Sequence, residues 1–319
     1  FSVPFIGLKS RAYTHFQGKY LYINEPLVAA VLDPRFPEAR EYLIGIYEKA
    51  IRDWDIDGLK LDFIDSFVIP ADHEDPAVAE NYAGRDYRTV PEAVDVLLTD
   101  IMKRLRAIKP DIMIEFRQAY IGPAIRKYGN MFRAADCPGD ILSNRVRTID
   151  LRLTSGSTAV HSDMITWNYK DTVESVARQF LNILFSVPQI SVRLAEIPDL
   201  HAQMLRFWLK FWIDHRETLM HGRLMPLYPQ LNYPLVFAGD ETCCIAMVYA
   251  SGMIVKLNLD PRKKYRIVNA SEAETITLDI QGGECQAELF SATGNPQGSI
   301  GIKPGISTVK IPVSGLLTM

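Results

Sequence analysis

The stretch Trp54-Asp55-Ile56-Asp57-Gly58-Leu59-Lys60-Leu61-Asp62-Phe63-Ile64-Asp65 decides how this chain is read. Gly58 opens a run in which apolar and charged side chains alternate, the period of a strand with two unlike faces. Leu59, Leu61 and Phe63 share one face, suited to packing against helices, and Lys60 and Asp62 share the other. Charges are almost never buried without partners. A cation and a carboxylate side by side near the C-terminal end of a barrel strand are either a structural ion pair or a place where chemistry is done.

Working outward, the residues before this strand form a helix. Pro37 and the acidic Glu38 and Glu41 are helix-start signals, and Leu43, Ile46, Tyr47, Ala50, Ile51 and Trp54 recur at helical spacing as one buried stripe. After the strand comes a long loop, Ile64–Tyr87. A helix at Pro91–Ile108, a strand at Asp111–Phe116, a helix near Pro123–Tyr128 and a strand at Met131–Ala135 follow. Beyond them lie a helix near Leu142–Leu153, a strand at Thr158–Asp163, a helix at Thr172–Phe185, a strand at Pro188–Val192 and a helix at Leu200–Leu219. Ahead of everything, Pro4–Lys9 is a further short strand, separated from the first helix by a loop rich in Tyr and Gly. This β-α rhythm predicts a parallel sheet with crossover helices, and the short strands suit a (β/α)8 TIM-type barrel. Past Leu224 the texture changes. Pro226, Pro229 and Pro234 punctuate a linker, and short alternating runs between Gly, Asp, Asn and Pro predict an antiparallel β-sandwich. The expected division is a barrel over residues 1–224 and a sandwich over 225–319.

The chain has 319 residues, with 35 Lys+Arg against 38 Asp+Glu, a net charge of −3, 48% hydrophobic and 23% charged residues. Those values exclude disordered, collagenous and coiled-coil proteins. The near-neutral charge and the lack of a basic cluster give no footprint for nucleic acid. No run approaches the roughly 20 apolar residues of a membrane helix, and Phe1–Lys9 does not have the form of a signal peptide. The expectation is a soluble protein, of bacterial-type cytoplasm or periplasm, with no membrane partner; a homo-oligomer is compatible with it. Cys137, Cys243, Cys244 and Cys285 are too few for a disulfide scaffold and lack zinc spacing, so they read as three buried thiols and one near a loop, with Cys243 and Cys244 on opposite faces of a strand.

A second chemical segment is Asn130-Met131-Phe132-Arg133-Ala134-Ala135-Asp136-Cys137-Pro138-Gly139-Asp140. An apolar strand ends in Asp136, while Asp140 is placed to cap the next helix. Two carboxylates on one barrel rim suit retaining glycoside hydrolysis, in which one attacks the anomeric carbon and the other moves a proton, about 5–5.5 Å apart. The nucleophile must stay ionised, which Lys60 beside Asp62 favours; the acid needs a less cationic position. Glu115 and Arg117 share a strand face, as do His161 and Asp163, and Trp167 follows in a loop where it either stacks on a sugar or anchors the chain. Each pair reads equally as structure or as substrate contact. His161 and Asp163 find no third ligand at metal spacing, so no metal is expected. Arg193 carries the same ambiguity, and His215, Arg216 and Glu217 read as a solvated helix face.

These segments resemble the alpha-galactosidase (melibiase) families of the retaining glycoside hydrolase clan that contains families 36 and 27. Leu59-Lys60-Leu61-Asp62 is similar to the clan's L-K-[IYFW]-D strand, and Val31-Leu32-Asp33-Pro34-Arg35 with Pro37-Glu38-Ala39-Arg40-Glu41-Tyr42-Leu43 to its lead-in. The resemblance implies Asp62 as nucleophile on the fourth barrel strand and Lys60 as a contact to sugar hydroxyls. It implies an acid/base Asp at the end of the sixth strand, after an Arg: Asp136 or Asp140, with Asp136 favoured because it ends the apolar strand, and Arg133 positioning the sugar. Arg117, His161, Asp163 and Trp167 follow as further binding candidates, with an oligosaccharide or glycoside as substrate and no cofactor. The family's fifth-strand sugar-binding segment is replaced here by Ile114-Glu115-Phe116-Arg117-Gln118, and its second-strand acidic pair has no counterpart before Pro4. By this alignment the strands present are the third to the eighth, so the expectation is a barrel incomplete at its N-terminal side.

Three competing readings remain. One is another alpha-glycosidase or transglycosylase of the same clan. Another is a Schiff-base lyase using Lys60, which needs a neutral amine that the adjacent Asp62 disfavours. The last is a non-catalytic carbohydrate-binding protein.

Overall fold

The computed structural model describes residues 2–79 and 82–319, and the chain divides between Phe132 and Arg133 into two units. In the first unit, β1 (Phe5–Gly7), α1 (Arg11–His15), β2 (Tyr20–Asn24) and β3 (Ala29–Leu32) precede α2 (Pro37–Trp54). Then come β4 (Gly58–Lys60), α3 (Pro76–Ala79), α4 (Val90–Ile108) and β5 (Met113–Arg117). Strand β6 (Met131–Arg133) carries the chain across the division.

Helix α2 has the bounds its sequence signals predict, with Pro37 in the first turn. Helix α4 starts on a capping box, the Thr89 hydroxyl accepting from the Glu92 N–H while the Glu92 carboxylate accepts from the Thr89 N–H. Leu43, Tyr47 and Ile51 of α2 lie in one core with Leu97, Ile101 and Leu105 of α4. Trp54 departs from the expected buried stripe and is 66% exposed. Asp55 takes a left-handed conformation that ends the helix there, so the last side chain lies beyond the packed turns.

The region before α2 differs from its reading. Phe5–Gly7 pairs antiparallel with β3, not in a parallel sheet, and the strand order is β1-β3-β2. The expected Tyr- and Gly-rich loop contains β2 and β3, and all four residues of Ala29–Leu32 are buried. The parallel partner of the Asp62 segment is Ser2, with the Val3 N–H donating to the Asp62 carbonyl at 3.1 Å. Residues 80 and 81 of the expected loop Ile64–Tyr87, and Phe1, lie outside the described residues.

In the second unit, α5 (Ile141–Thr154), β7 (Ala159–His161), α6 (Val173–Leu181), α7 (Asp199–Asp214) and α8 (Arg216–His221) precede a strand-rich region. The expected strand at Pro188–Val192 reduces to isolated bridges, His161 with Val187 and Ile165 with Ile190. The long helix expected over Leu200–Leu219 breaks at His215, which is half-buried against the Phe211 ring and not on a solvated face.

The remaining strands are β8 (Arg223–Leu227), β9 (Leu235–Gly239), β10 (Cys243–Val248), β11 (Ile254–Asn258), β12 (Lys264–Asn269) and β13 (Thr275–Gln281). After them come β14 (Cys285–Phe290), β15 (Pro296–Ile302), β16 (Gly305–Lys310) and β17 (Leu316–Thr318). They form one sheet in the order β15-β14-β17-β12-β10-β9-β8 and another in the order β11-β13-β16. Part of the expected Pro-rich linker is thus the edge strand β8, where a proline is tolerated. The expected antiparallel pattern also fails at two places: β10 pairs parallel with β12, and β11 with β13. Successive strands here alternate between the two sheets, so a strand returning to its sheet runs in its original direction.

The larger sheet is covered on both faces. Leu235, Phe237, Ala246 and Val248 face Val255, Leu278 and Ile280 of the smaller sheet. Val236, Ala238, Ile245 and Met247 face Phe180, Leu181 and Trp208 of α6 and α7. Cys243 joins the helix-side core and Cys244 packs on the other, so the adjacent thiols do point to opposite faces.

Candidate active site

In the first unit the site is built on β4 and β5. They pair in parallel with Gly58 opposite Met113, Leu59 opposite Ile114 and Lys60 opposite Glu115. A side chain at position 58 would bring its Cβ to 2.5 Å from the Met113 carbonyl oxygen, so glycine is what lets the strands meet. Leu59 and Leu61 are buried while Lys60 and Asp62 face the other way, as the alternation predicts. At Phe63 the extended run that continues past β4 ends abruptly. Its φ of +62° is left-handed, a conformation costing a non-glycine residue about 1–3 kcal/mol and concentrated at functional sites. A 3-10 turn over Ile64–Ser66 follows.

That turn shapes the Asp62 carboxylate. The Phe63 N–H donates to Oδ1 at 2.9 Å, and Arg117 Nε donates to the same oxygen at 2.7 Å. Oδ2 has Lys60 Nζ at 4.0 Å. The Asp62 and Arg117 side chains are 19% and 18% exposed and that of Lys60 40%, so the cluster is open to solvent on one side. The Arg117 guanidinium also donates to the Gln118 carbonyl at 2.9 Å and lies over the Phe63 ring at 5.3 Å. The Tyr120 hydroxyl donates to the Leu61 carbonyl at 2.9 Å, tying the loop after β5 to the strand that carries Asp62. Burial pushes the Tyr120 phenol up, so it stays a proton donor at neutral pH.

The loop after β4 is stapled by ions. Asp33 and Arg35 are fully buried. Arg35 grips Asp33 with Nε at 2.9 Å and Asp75 with its terminal nitrogens at 2.8 and 3.0 Å. Arg85 Nε adds 2.8 Å to Asp33 and its guanidinium covers the Phe36 ring. Burial alone would lower the Arg35 affinity for its proton, but the bonds to Asp33 and Asp75 outweigh it and raise it. The Asp33-Pro34-Arg35 motif is therefore an anchor for the loop, not a contact for a ligand.

The other candidates lie in the second unit. Arg133, at the end of β6, has a side chain 6% exposed and forks between two carboxylates. One terminal nitrogen donates to Asp136 Oδ1 at 2.6 Å, the other to Asp163 Oδ1 at 2.5 Å. Asp163 is fully buried and its second oxygen accepts from the Cys137 N–H at 2.5 Å. The Asn144 side chain of α5 bonds both the N–H and the carbonyl of Asp163 at 3.0 Å. Asp136, by contrast, is 67% exposed, while Arg147 holds its backbone carbonyl at 2.9 Å. Asp140 caps α5, accepting from the Ser143 N–H at 2.9 Å and hydroxyl at 2.6 Å, and these bonds hold its carboxyl below the usual range.

His161 Nδ1 contacts Gln189 Nε2 at 3.1 Å. Trp167 is buried in the apolar core, edge-on to the His201 ring at 6.5 Å, so it anchors its loop. Burial likewise makes Asp163 a support for Arg133 and not a surface for sugar. Sequence reasoning missed Tyr120 and the backbone turn at Phe63, neither of which leaves a periodic signal. Among the described residues no group of three or more His, Cys, Asp or Glu is placed to hold a metal ion, and no helix is long and apolar enough to cross a membrane.

No protein-family model and no curated protein matches this sequence. Solved structures do match. The family 36 alpha-galactosidase AgaA from Geobacillus stearothermophilus shares 12% identity at a TM-score of 0.62, over 99% of this chain and 43% of its own. The alpha-galactosidase from Lactobacillus brevis shares 10% at a TM-score of 0.60, over 100% of this chain and 44% of its own. An Anoxybacillus alpha-amylase shares 10% at a TM-score of 0.60, over 100% of this chain and 74% of its own. Variants of the Geobacillus enzyme have been solved in complex with raffinose and stachyose. The chain has an alpha-galactosidase-like glycoside hydrolase fold and spans less than half the length of the alpha-galactosidases it resembles. At these identities the likeness is one of fold.

Proposed function

We propose that this protein is a retaining glycoside hydrolase of alpha-linked sugars, acting on alpha-galactosides or galactose-bearing oligosaccharides. In this reading the helices and parallel strands of residues 1–224 belong to a (β/α)8 barrel, and residues 225–319 are its β-rich companion. The observation that carries it is the Asp62 carboxylate, which stands two residues past the parallel strand β4 with one oxygen bound by two N–H donors and the other 4.0 Å from the Lys60 ammonium. The fold likeness supports the substrate class.

The chemistry is a double displacement. A lone pair of Asp62 attacks the anomeric carbon as the glycosidic C–O bond breaks, its electron pair leaving with the oxygen, which takes a proton from Asp136. Water then attacks the same carbon, gives its proton to Asp136 and releases the Asp62 carboxylate. Accessibility favours Asp136 as the group that moves the proton. One guanidinium, Arg133, serves two carboxylates, and of these Asp136 is the exposed one. Asp140 is committed to its helix cap. Lys60, Arg133, Arg117 and His161 are the polar groups proposed to orient the sugar or the two carboxylates, and no cofactor is called for.

The test is Asp62→Gly in the full-length protein. Turnover of 4-nitrophenyl alpha-galactoside should vanish, and added azide should restore it with a beta-galactosyl azide as product. Near-normal activity of the variant, or inversion at the anomeric carbon in the unmodified protein by NMR, overturns the proposal. The amylase likeness favours one alternative, an alpha-glucan or alpha-glucoside substrate. Comparing raffinose and 4-nitrophenyl alpha-galactoside with soluble starch and 4-nitrophenyl alpha-glucoside decides between them.

A further inference from the structure

Arg117 is the strongest lead beyond that reading, and the role assigned to it rests on Asp62 being the nucleophile. The β4–β5 register sets Lys60 opposite Glu115, and the Leu61 N–H donates to the Glu115 carbonyl at 3.0 Å, which carries Arg117 to the level of Asp62. Its guanidinium is held at three points: Nε on Asp62 Oδ1, a terminal nitrogen on the Gln118 carbonyl, and its face on the Phe63 ring. A planar cation held this way has little freedom to reach elsewhere, and lysine cannot copy it. The same oxygen, Oδ1, also takes the Phe63 N–H, while Oδ2 stands beyond hydrogen-bond length from the Lys60 ammonium.

We infer that Arg117 is a positioning residue for the nucleophile: it anchors Oδ1 so that Oδ2 is the attacking oxygen, and it does not touch the sugar. In the first step the Oδ2 lone pair bonds the anomeric carbon while the glycosidic electron pair leaves with its oxygen and the general acid's proton. Oδ1 becomes the carbonyl oxygen of the glycosyl ester, still bound to Arg117 and Phe63. When water attacks, the carbon–Oδ2 bond breaks, negative charge returns to the carboxylate, and the two Oδ1 donors stabilise it as it forms. This differs from the direct sugar contact that position 117 otherwise suggests, and the two make opposite kinetic claims.

Arg117→Ala and Arg117→Lys should each lower kcat about 100-fold, as for loss of one preorganised donor, with KM within about threefold. Guanidinium ion should restore part of kcat to Arg117→Ala, and ammonium should not. A double-mutant cycle gives the sharpest reading. With Asp62→Gly rescued by azide, adding Arg117→Ala should cost less than about twofold, because the group through which Arg117 acts is gone. A KM increase of tenfold or more at unchanged kcat, or the same 100-fold loss in the azide-rescued background, overturns the inference and returns Arg117 to the sugar. If azide rescue succeeds and the Arg117 variants keep kcat, the positioning role alone falls. If azide rescues nothing, the nucleophile reading falls and takes this inference with it. Unchanged unfolding temperatures confirm that each variant is folded, and Arg117→Lys serves if Arg117→Ala is not.

Discussion

Replacing Asp163 with alanine should unfold the second unit far more easily, and the cost follows from its surroundings. The carboxylate is fully buried and accepts from Arg133 at 2.5 Å and from the Cys137 N–H at 2.5 Å. Removing it leaves a guanidinium, itself 6% exposed, with half its anionic surroundings and leaves a buried N–H without an acceptor. Breaking a buried pair from one side costs about 3–5 kcal/mol. Asp163→Asn keeps an acceptor for Cys137 and loses only the charge, so its cost is about 1.5–3 kcal/mol. For a unit of this size the alanine value corresponds to a drop in unfolding temperature of roughly 6–20 °C. Guanidinium denaturation followed by tryptophan fluorescence suits the measurement, because Trp167, Trp208 and Trp212 all lie in this unit and Trp54 is 66% exposed. A loss below about 0.5 kcal/mol for Asp163→Ala, within the range of ordinary surface changes, refutes the reasoning. So does an asparagine variant less stable than the alanine one.

The same geometry sets further expectations. Asp140→Ala removes the α5 cap and should cost about 1 kcal/mol while leaving kcat within about twofold, whereas Asp136→Ala, which takes a carboxylate 67% exposed from Arg133, should cost less stability than Asp163→Ala and remove most of the activity toward substrates with poor leaving groups; denaturation midpoints and steady-state kinetics separate the two. Burial tends to raise the Asp240 carboxyl, but the Thr218 and Thr242 hydroxyls and the Thr242 and Cys243 N–H groups hold it at about 2. Its folded value lies below the roughly 3.9 of an unfolded chain, so its contribution is full above about pH 4 and lost between about pH 4 and 2. The stability gap between the unmodified chain and Asp240→Asn should therefore close across that window in urea titrations. Burial also pushes the Cys137 and Cys244 thiols up to about 11 and raises those of Cys243 and Cys285. Iodoacetamide at pH 8 should label the unfolded chain quickly and the native chain slowly, as read by mass spectrometry; rapid native labelling of Cys137 contradicts the packing described.

Helix α2 was legible to its ends because its signals are local: a proline in the first turn, acidic residues beside it, and apolar side chains at helical spacing. Helix α4, expected over Pro91–Ile108, runs over Val90–Ile108; the Thr89–Glu92 capping box that starts it was not picked out. The strand faces at Lys60 and Asp62 were legible because alternation is also a local pattern. The region from Tyr20 to Leu32 was not, since Ala29-Ala30-Val31-Leu32 is a short apolar run that becomes a strand only when β1 and β2 pair on both sides of it. The parallel pairs in the C-terminal region were hidden for a related reason: strand direction depends on which sheet each strand joins, and no residue type encodes that.

Spacing along the chain was enough to tell which residues carry charge on one face of the Gly58–Asp62 run, where the two principal helices run, and that Asp140 caps a helix; it placed Asp136 at the end of a strand, whereas β6 stops at Arg133. Those are properties of spacing within about a dozen residues. Only the tertiary structure decided that Arg117 meets Asp62 across 55 positions of chain, that Asp163 is buried beneath Arg133, that Trp167 is core, and that Asp33 and Arg35 staple a loop. Each of these is an encounter between distant segments. For the ion pairs, the attraction between the charges must offset the cost of desolvating them, and for Trp167 the packing is apolar; both depend on the surroundings in space, which the order of residues along the chain does not contain.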